Sequence, residues 1–363
     1  MKIICMILVA SLLIVSFSGC NRNAPEPTVT PLPPTAPTVE TSPSQTTEPT
    51  ETTAPTENIA PASPEMINGS FEIRLSDWDT DEDGTFLTYA GGEVEVPLRI
   101  TATGDIRQKK IGILLFVDGQ PQPYRTEASQ EYAYLHTFTL PKPSANEIRI
   151  WFIPITGATG DAPEVYIKPL LDPHRTLATN SWPSLGTTPA IMFRLKYQTT
   201  PLSAAFPEKQ LRLTQTAIRY ADTTPQEIGT WTEEELEDKT EQYLYINGQK
   251  GDHDAAIYEV TQTSDITLRF ESWGSPHVHY SVVFFVDHQP VFSADALPIY
   301  IEIQTGQKTV VEATLSMADF TGESLVYAVL VPRNYTKIKN HCFLDCTKVF
   351  FLTEQIDPDS TTL

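Results

Sequence analysis

Residues 77–84 read Asp77-Trp78-Asp79-Thr80-Asp81-Glu82-Asp83-Gly84, with a carboxylate at every second position before a glycine. Alternating carboxylates in a short loop converge oxygen ligands on a hard cation such as Ca²⁺, and glycine allows the sharp turn. Asp79, Asp81 and Asp83 are therefore the calcium candidates, although a solvated acidic turn uses the same residues and needs no ion. His277 and His279 form a second set. On a strand they share one face, a spacing that zinc sites use, with Asp287 and His288 further along. Against that reading, the aligned positions of the first half hold Arg107 and Lys109, which suits an exposed polar face. Cys342 and Cys346 can pair as a disulfide in an exported protein only if the chain turns, bringing the α-carbons within ~7 Å. Two thiols are the alternative. Zinc is short of ligands there, since only His341 adjoins the pair. Of the five tryptophans, Trp78, Trp151, Trp182, Trp231 and Trp273, any that is exposed can stack on a sugar ring. Trp151 lies in an apolar strand and is expected in the core.

The acidic stretch resembles the first half of an EF-hand calcium loop, but the twelfth position holds Ala90 instead of a bidentate glutamate, and the flanks read as strands. What remains is an expectation of Ca²⁺ in a β loop. No Gly-x-Ser-x-Gly elbow, His-Glu-x-x-His, Ser-x-x-Lys or phosphate-binding glycine loop occurs in the sequence. Carboxylates are plentiful, yet none is singled out as a pair for glycoside hydrolysis. The sequence therefore points away from an enzyme.

Residues 1–20 have the layout of an export signal: Lys2, an apolar core from Ile3 to Val15, then Ser18-Gly19-Cys20. The apolar run is short for a transmembrane helix. Cysteine after small residues resembles the lipobox of bacterial lipoproteins of the Gram-positive type, with Phe17 where that family prefers leucine. The resemblance implies a diacylglycerol on Cys20, and so domains held outside the cell at the outer face of the cytoplasmic membrane. Residues 21–65 read as a disordered linker. From Ala24 to Glu65 there are eleven Pro, eleven Thr and six Glu, with no Gly, aromatic residue, Lys or Arg. Such a stretch has too little apolar surface to offset the entropy of ordering. At ~3.1 Å per residue its extended reach is on the order of 130 Å.

The formal net charge is −21, and without the six linker Glu, Lys2 and Arg22 the remainder carries 40 acidic and 23 basic residues, or −17. That balance gives no electrostatic footprint for nucleic acid or an anionic membrane face.

From residue 66 onward the pattern is all-β: short Val, Ile, Phe, Tyr and Thr runs between Gly, Pro, Asn and Asp. Ile111–Pro121 and Ser281–Pro290 each end an apolar run in Phe-Val-Asp-x-Gln-Pro. Leu98-Arg99-Ile100 matches Leu268-Arg269-Phe270 at an offset of 170, and Phe116 matches Phe285 at 169. Further on, Thr139-Leu140 is aligned with Thr314-Leu315 (offset 175) and Ile148–Pro154 with Val326–Pro332 (178), so the offset grows. Val165–Ile167 is set against Val349–Phe351. The expected fold is two tandem immunoglobulin-like β-sandwich domains, 66–200 and 208–356, the second repeating the first, with a tail at 357–363. Asp118-Gly119 and Asp287-His288 are expected as tight turns on a central strand apolar on both faces. Asn68-Gly69 and Asn247-Gly248 are expected turns near the start of each unit. The capping box Thr232–Glu235 predicts a short helix to Gln242.

The functional expectation is a surface-anchored, non-catalytic binding or adhesion module, with a glycan or an envelope protein as partner. An envelope stalk and a carbohydrate-active hydrolase are the alternatives.

Overall fold

The structure is a computed structural model. It describes residues 69–354, apart from 83, 143–144, 177–188, 202–210, 225–231, 233–239, 252–255, 261–264, 275–277, 294, 296–297, 305, 317–322, 334–343 and 348. The expected export signal, Cys20 and the linker lie outside the described residues. Residues 60–363 form one compact unit.

The first half of that unit holds β1 (Phe71–Leu75), β2 (Asp79–Asp81), β3 (Gly84–Tyr89), β4 (Val94–Ala102), β5 (Ile111–Val117), β6 (Gln120–Pro121), β7 (Arg125–Thr126), β8 (His136–Phe138), β9 (Ala145–Phe152), β10 (Glu164–Leu171) and β11 (Ile191–Tyr197). The second holds β12 (Leu211–Asp222), β13 (Thr240–Ile246), β14 (Gln249–Lys250), β15 (Ala256–Val260), β16 (Ile266–Gly274), β17 (His279–Val286), β18 (Gln289–Phe292), β19 (Ile299–Glu302), β20 (Gln307–Leu315), β21 (Ser324–Pro332), β22 (Asp345–Cys346) and β23 (Phe350–Glu354). The single helical element among the described residues is a 3₁₀ turn, Gly104–Gln108. Thr240 to Gln242, expected at the end of a helix, belong to β13, because cross-strand pairing with β16 overrides a local capping signal. The rest of that helix, apart from Thr232, lies outside the described residues.

In the first half the order β1-β4-β9-β7 faces the order β2-β3-β11-β10-β5-β6. This is the A-B-E-D against C-F-G arrangement of an immunoglobulin-like sandwich. β4 illustrates why: Val94, Val96, Leu98, Ile100 and Ala102 are buried, alternating with exposed Glu95 and Arg99. The second half repeats the pairing. β13-β16-β20 corresponds to β1-β4-β9, and β15, β23, β21 and β17 correspond to β3, β11, β10 and β5, including the parallel pairing of β3 with β11 and of β15 with β23. The fold is thus all-β, two tandem immunoglobulin-like sandwiches, each with its own apolar core.

Strand pairing corrects the sequence alignment of the halves. β9 pairs with β4, but Val326–Pro332 is β21, which pairs with β17. The counterpart of β9 is β20: Leu98 faces Ile148 as Leu268 faces Ala313, an offset of 313 − 148 = 165. The counterpart of β10 is β21: Phe116 faces Tyr166 as Phe285 faces Tyr327, and 327 − 166 = 161. β23 in turn matches β11, with Phe350 at the place of Phe193 and an offset of 157. The offset therefore falls along the chain instead of growing. The two apolar runs closed by proline match in composition, but ladder partners decide equivalence. Asn247-Gly248 turns between β13 and β14, whereas Gly69 precedes β1, so these two are not counterparts.

The repeated stretch behaves as its pattern requires. Every residue of β5 is buried. Ile111, Ile113, Leu115 and Val117 fill the core of the first sandwich, while Leu114 and Phe116 point to a third apolar cluster shared by both halves. Asp118 and Gly119 have φ of 49° and 74°, and Asp287 and His288 have 47° and 64°, the left-handed pair of a two-residue hairpin turn. β6 is only two residues long and lies at the end of its sheet, as a proline strand should.

Candidate functional site

Equivalent strands separate scaffold from specialisation. Leu75 and Ile246 are counterparts, each facing the same leucine of the next strand, Leu98 or Leu268. After Ile246 the chain turns at once through Asn247-Gly248 into β14. After Leu75 it runs outward through Ser76, Asp77 and Trp78 before β2. The Ser76 amide donates to the Pro97 carbonyl at 2.9 Å, so the departing segment lies along β4. Where the first copy has Asp77-Trp78-Asp79, the second has Gly248-Gln249-Lys250. An acidic aromatic ridge is thus confined to one copy.

That ridge walls an open groove of about 400 Å³ lined by Asp77, Trp78, Asp79, Leu87, Thr88, Glu95 and Pro97. It lies where the chain crosses from one sheet to the other, between β3 and β4. Trp78 is 44% exposed, the largest ring standing free on the described surface. Asp77 and Asp79 are exposed, with no ion-pair partner among the described residues. Glu95 is different: Arg149 Nε lies 3.4 Å from Oε1, and Trp151 Nε1 donates to Oε2 at 3.4 Å. Trp151, expected in the core, is half-exposed on the outer face of the β4–β9 sheet, since its strand neighbours Ile150 and Phe152 take the inward positions. Arg125 stacks on it with its guanidinium 4.7 Å from the ring centre, and Arg125 Nε donates to Glu93 Oε1 at 2.7 Å. The hydrogen bond from Arg125 holds the Glu93 carboxyl below the usual carboxylate range. A belt of polar groups and two indoles thus extends from the groove across the sheet.

Asp79 lines the groove, and Asp81 is held by the Arg194 and Lys196 side chains, with Arg194 almost buried. Asp83 lies outside the described residues. His279 is exposed at the start of β17 opposite Glu302, and His277 lies outside the described residues. Among the described residues no group of three His, Cys, Asp or Glu stands in position to hold a metal ion. Cys346 is buried in β22, while Cys342 lies outside the described residues.

Sequence reasoning missed the role of His288. It is 3% exposed. Nε2 donates to the Pro173 carbonyl at 2.7 Å, and Nδ1 accepts from Tyr327 Oη at 2.9 Å. This satisfies the neutral imidazole completely. Burial, with His174 and Arg175 nearby, pushes its pKa down to about 4. Its signal was its place in the turn, where the first copy has Gly119.

No helix among the described residues is long and apolar enough to cross a membrane. No protein-family model matches the sequence, and no curated protein sequence does. Solved structures align over most of the chain at low similarity. The Dpr2 Ig1-Ig2 complex with DIP-Theta Ig1-Ig3 is 10% identical, covers 78% of this chain and 99% of that one, and has a TM-score of 0.21. Calcium-binding domain CBD12 of CALX1.1 is 12% identical over 68% and 77%, TM-score 0.18. A titin structure is 11% identical over 78% and 99%, TM-score 0.16. At these scores the likeness adds nothing to the topology, which rests on the strand pairing above.

Proposed function

We propose that this chain is a non-catalytic binding module, held outside the cell by a lipid on Cys20 and the Thr/Pro-rich segment, and that it takes a glycan in the Trp78 groove. The observation that carries the reading is Trp78: a large ring left exposed beside two carboxylates, in one sandwich and not in its copy. An exposed indole face stacks on the C–H face of a pyranose, and carboxylate oxygens accept from adjacent hydroxyls. Asp77, Asp79 and Glu95 favour neutral or amino sugars over sulfated or uronic ones, by like-charge repulsion. The −17 balance of residues 66–363 has the same sign.

The test is calorimetry of the intact protein with neutral and acidic oligosaccharides. Saturable binding of a neutral or amino sugar is expected, weakened at least roughly tenfold by Trp78→Ala, equivalent to about 1.4 kcal/mol. Binding that Trp78→Ala leaves untouched would place the ligand elsewhere. The anchor has its own assay: a labelled fatty acid should enter the full chain and be lost in Cys20→Ser. Absence of label from the unaltered chain sinks that part of the reading.

A further inference from the structure

The shared cluster between the sandwiches is built from counterparts. Leu114, Phe116, Tyr166 and Leu170 of the first half meet Val283, Phe285, Tyr327 and Val331 of the second. By the offsets above, each residue of the first set corresponds in order to one of the second. Phe116 and Phe285 also face each other directly, with ring centres 6.2 Å apart at 88°. A residue touches its own counterpart only near a two-fold axis, so the face is isologous.

The rim obeys the same axis. Arg333 is the counterpart of Asp172, since its amide donates to His279 O as the amide of Asp172 donates to Lys110 O (333 − 172 = 161; 279 − 110 = 169). Gly119, in the turn of the first copy, packs on Ser281 and Arg333: a Cβ there would stand 2.2 Å from Ser281 Oγ and 3.0 Å from Arg333 Cγ. His288, the counterpart of Gly119, holds the carbonyl of Pro173, next to Asp172. Gly112, the counterpart of Ser281, lies against the same Pro173, with Cγ 2.8 Å from where its Cβ would be. The Gly119 turn thus docks on the start of β17 and the residue after β21, and the His288 turn on the segment after β10, each in the opposite half.

The counterparts differ where they meet. A turn residue without a side chain, Gly119, faces Ser281, whereas its bulky counterpart His288 stands at the end where the counterpart of Ser281 is Gly112, filled over by Leu135 and Pro173. Asp118 accepts from Arg333 Nη2 at 2.8 Å, while the corresponding positions at the other end are two acids, Asp287 and Asp172. Asp287 Oδ1 there accepts from the Leu325 amide at 2.8 Å instead. Pairing of two first halves would oppose Asp118 to Asp172, and pairing of two second halves would press His288 on Ser281.

We propose that the two sandwiches join through a self-pairing face whose rim has diverged so that each half accepts the other and rejects a copy of itself. The partner this face fits is the opposite half of the same chain. Specificity resides in the pairs Gly119–Ser281 and Asp118–Arg333, through a steric and an electrostatic penalty on the wrong match.

The test exchanges counterparts in the full chain. Gly119→His places the second-half residue against Ser281 and should lower the urea midpoint by about 0.5–1 M. Adding Ser281→Gly removes the side chain that the new imidazole meets, as glycine stands at the counterpart position 112, and more than half of that shift should return. In a double-mutant cycle, additive losses would overturn the proposal. If Gly119→His does not fold, the charge pair carries the same test. Arg333→Asp and Asp118→Arg should each lower the midpoint, and the combined exchange should recover it; a combined loss equal to the sum would overturn the proposal.

Discussion

Phe193→Ala and Phe350→Ala are each expected to destabilise the folded chain by about 3–5 kcal/mol, the cost of emptying a fully buried phenylalanine site. Both rings are 0% exposed, one in each sandwich core. They are counterparts by strand pairing, on β11 and β23, at an offset of 157. The sequence alignment did not pair them. Urea or thermal unfolding of the two variants should therefore give losses of similar size. A loss under about 1 kcal/mol in one but not the other would contradict their equivalence.

The second large effect is on acid stability. His288 is neutral in the folded chain with a pKa depressed to about 4 from an ordinary 6.5, mainly by burial. Above pH 6.5 neither folded nor unfolded chain binds this proton. As the pH falls below 6.5 the unfolded chain takes it up and the folded chain does not, until about pH 4. Stability from this group is thus complete at neutral pH and lost progressively between about pH 6.5 and 4, to a total of about 3 kcal/mol. The groups facing the imidazole are Tyr327 on β21, and Pro173, His174 and Arg175 after β10, with Asp287 beside it in the turn. His288→Gln keeps a donor for Pro173 but does not titrate. Its unfolding midpoint should lie lower at pH 7 and lose this part of the fall toward pH 4. An unchanged pH slope in that variant would refute the assignment.

Much of the fold was legible because it is locally encoded. Alternation specified β4, a continuous apolar run specified β5, and Asp118-Gly119 specified its turn. Equivalence in the later strands was not, because the runs of β9 and β21 are both apolar and closed by a proline, and only the ladder shows that β9 pairs with β4 while β21 pairs with β17. Trp151 is misplaced by reading the run Ile150-Trp151-Phe152 on composition alone, whereas alternation along the strand sets it on the face of Glu147 and Arg149. The acidic ridge at 77–79 was visible as chemistry. The pairing of Asp81 with Arg194 and Lys196 on β11 was not, because it depends on contacts more than a hundred residues apart. The buried state of His288 was hidden likewise, since the Pro173 carbonyl that holds it comes from the opposite half.

The two copies share their scaffold and differ at the Trp78 ridge. Shared residues keep the sandwiches folded and docked. The residues Asp77-Trp78-Asp79 that wall the groove are replaced by Gly248-Gln249-Lys250 in the second copy, which turns tightly there instead. The measurement that tests this most directly is an NMR titration of the intact, indole-labelled protein with a neutral or amino-sugar oligosaccharide. The Trp78 indole resonance, assigned by Trp78→Phe, should shift saturably, Trp151 should respond less through Glu95, and buried Trp273 should stay still. Saturable binding with the Trp78 resonance unmoved, or no binding by any neutral or amino sugar, would contradict the account.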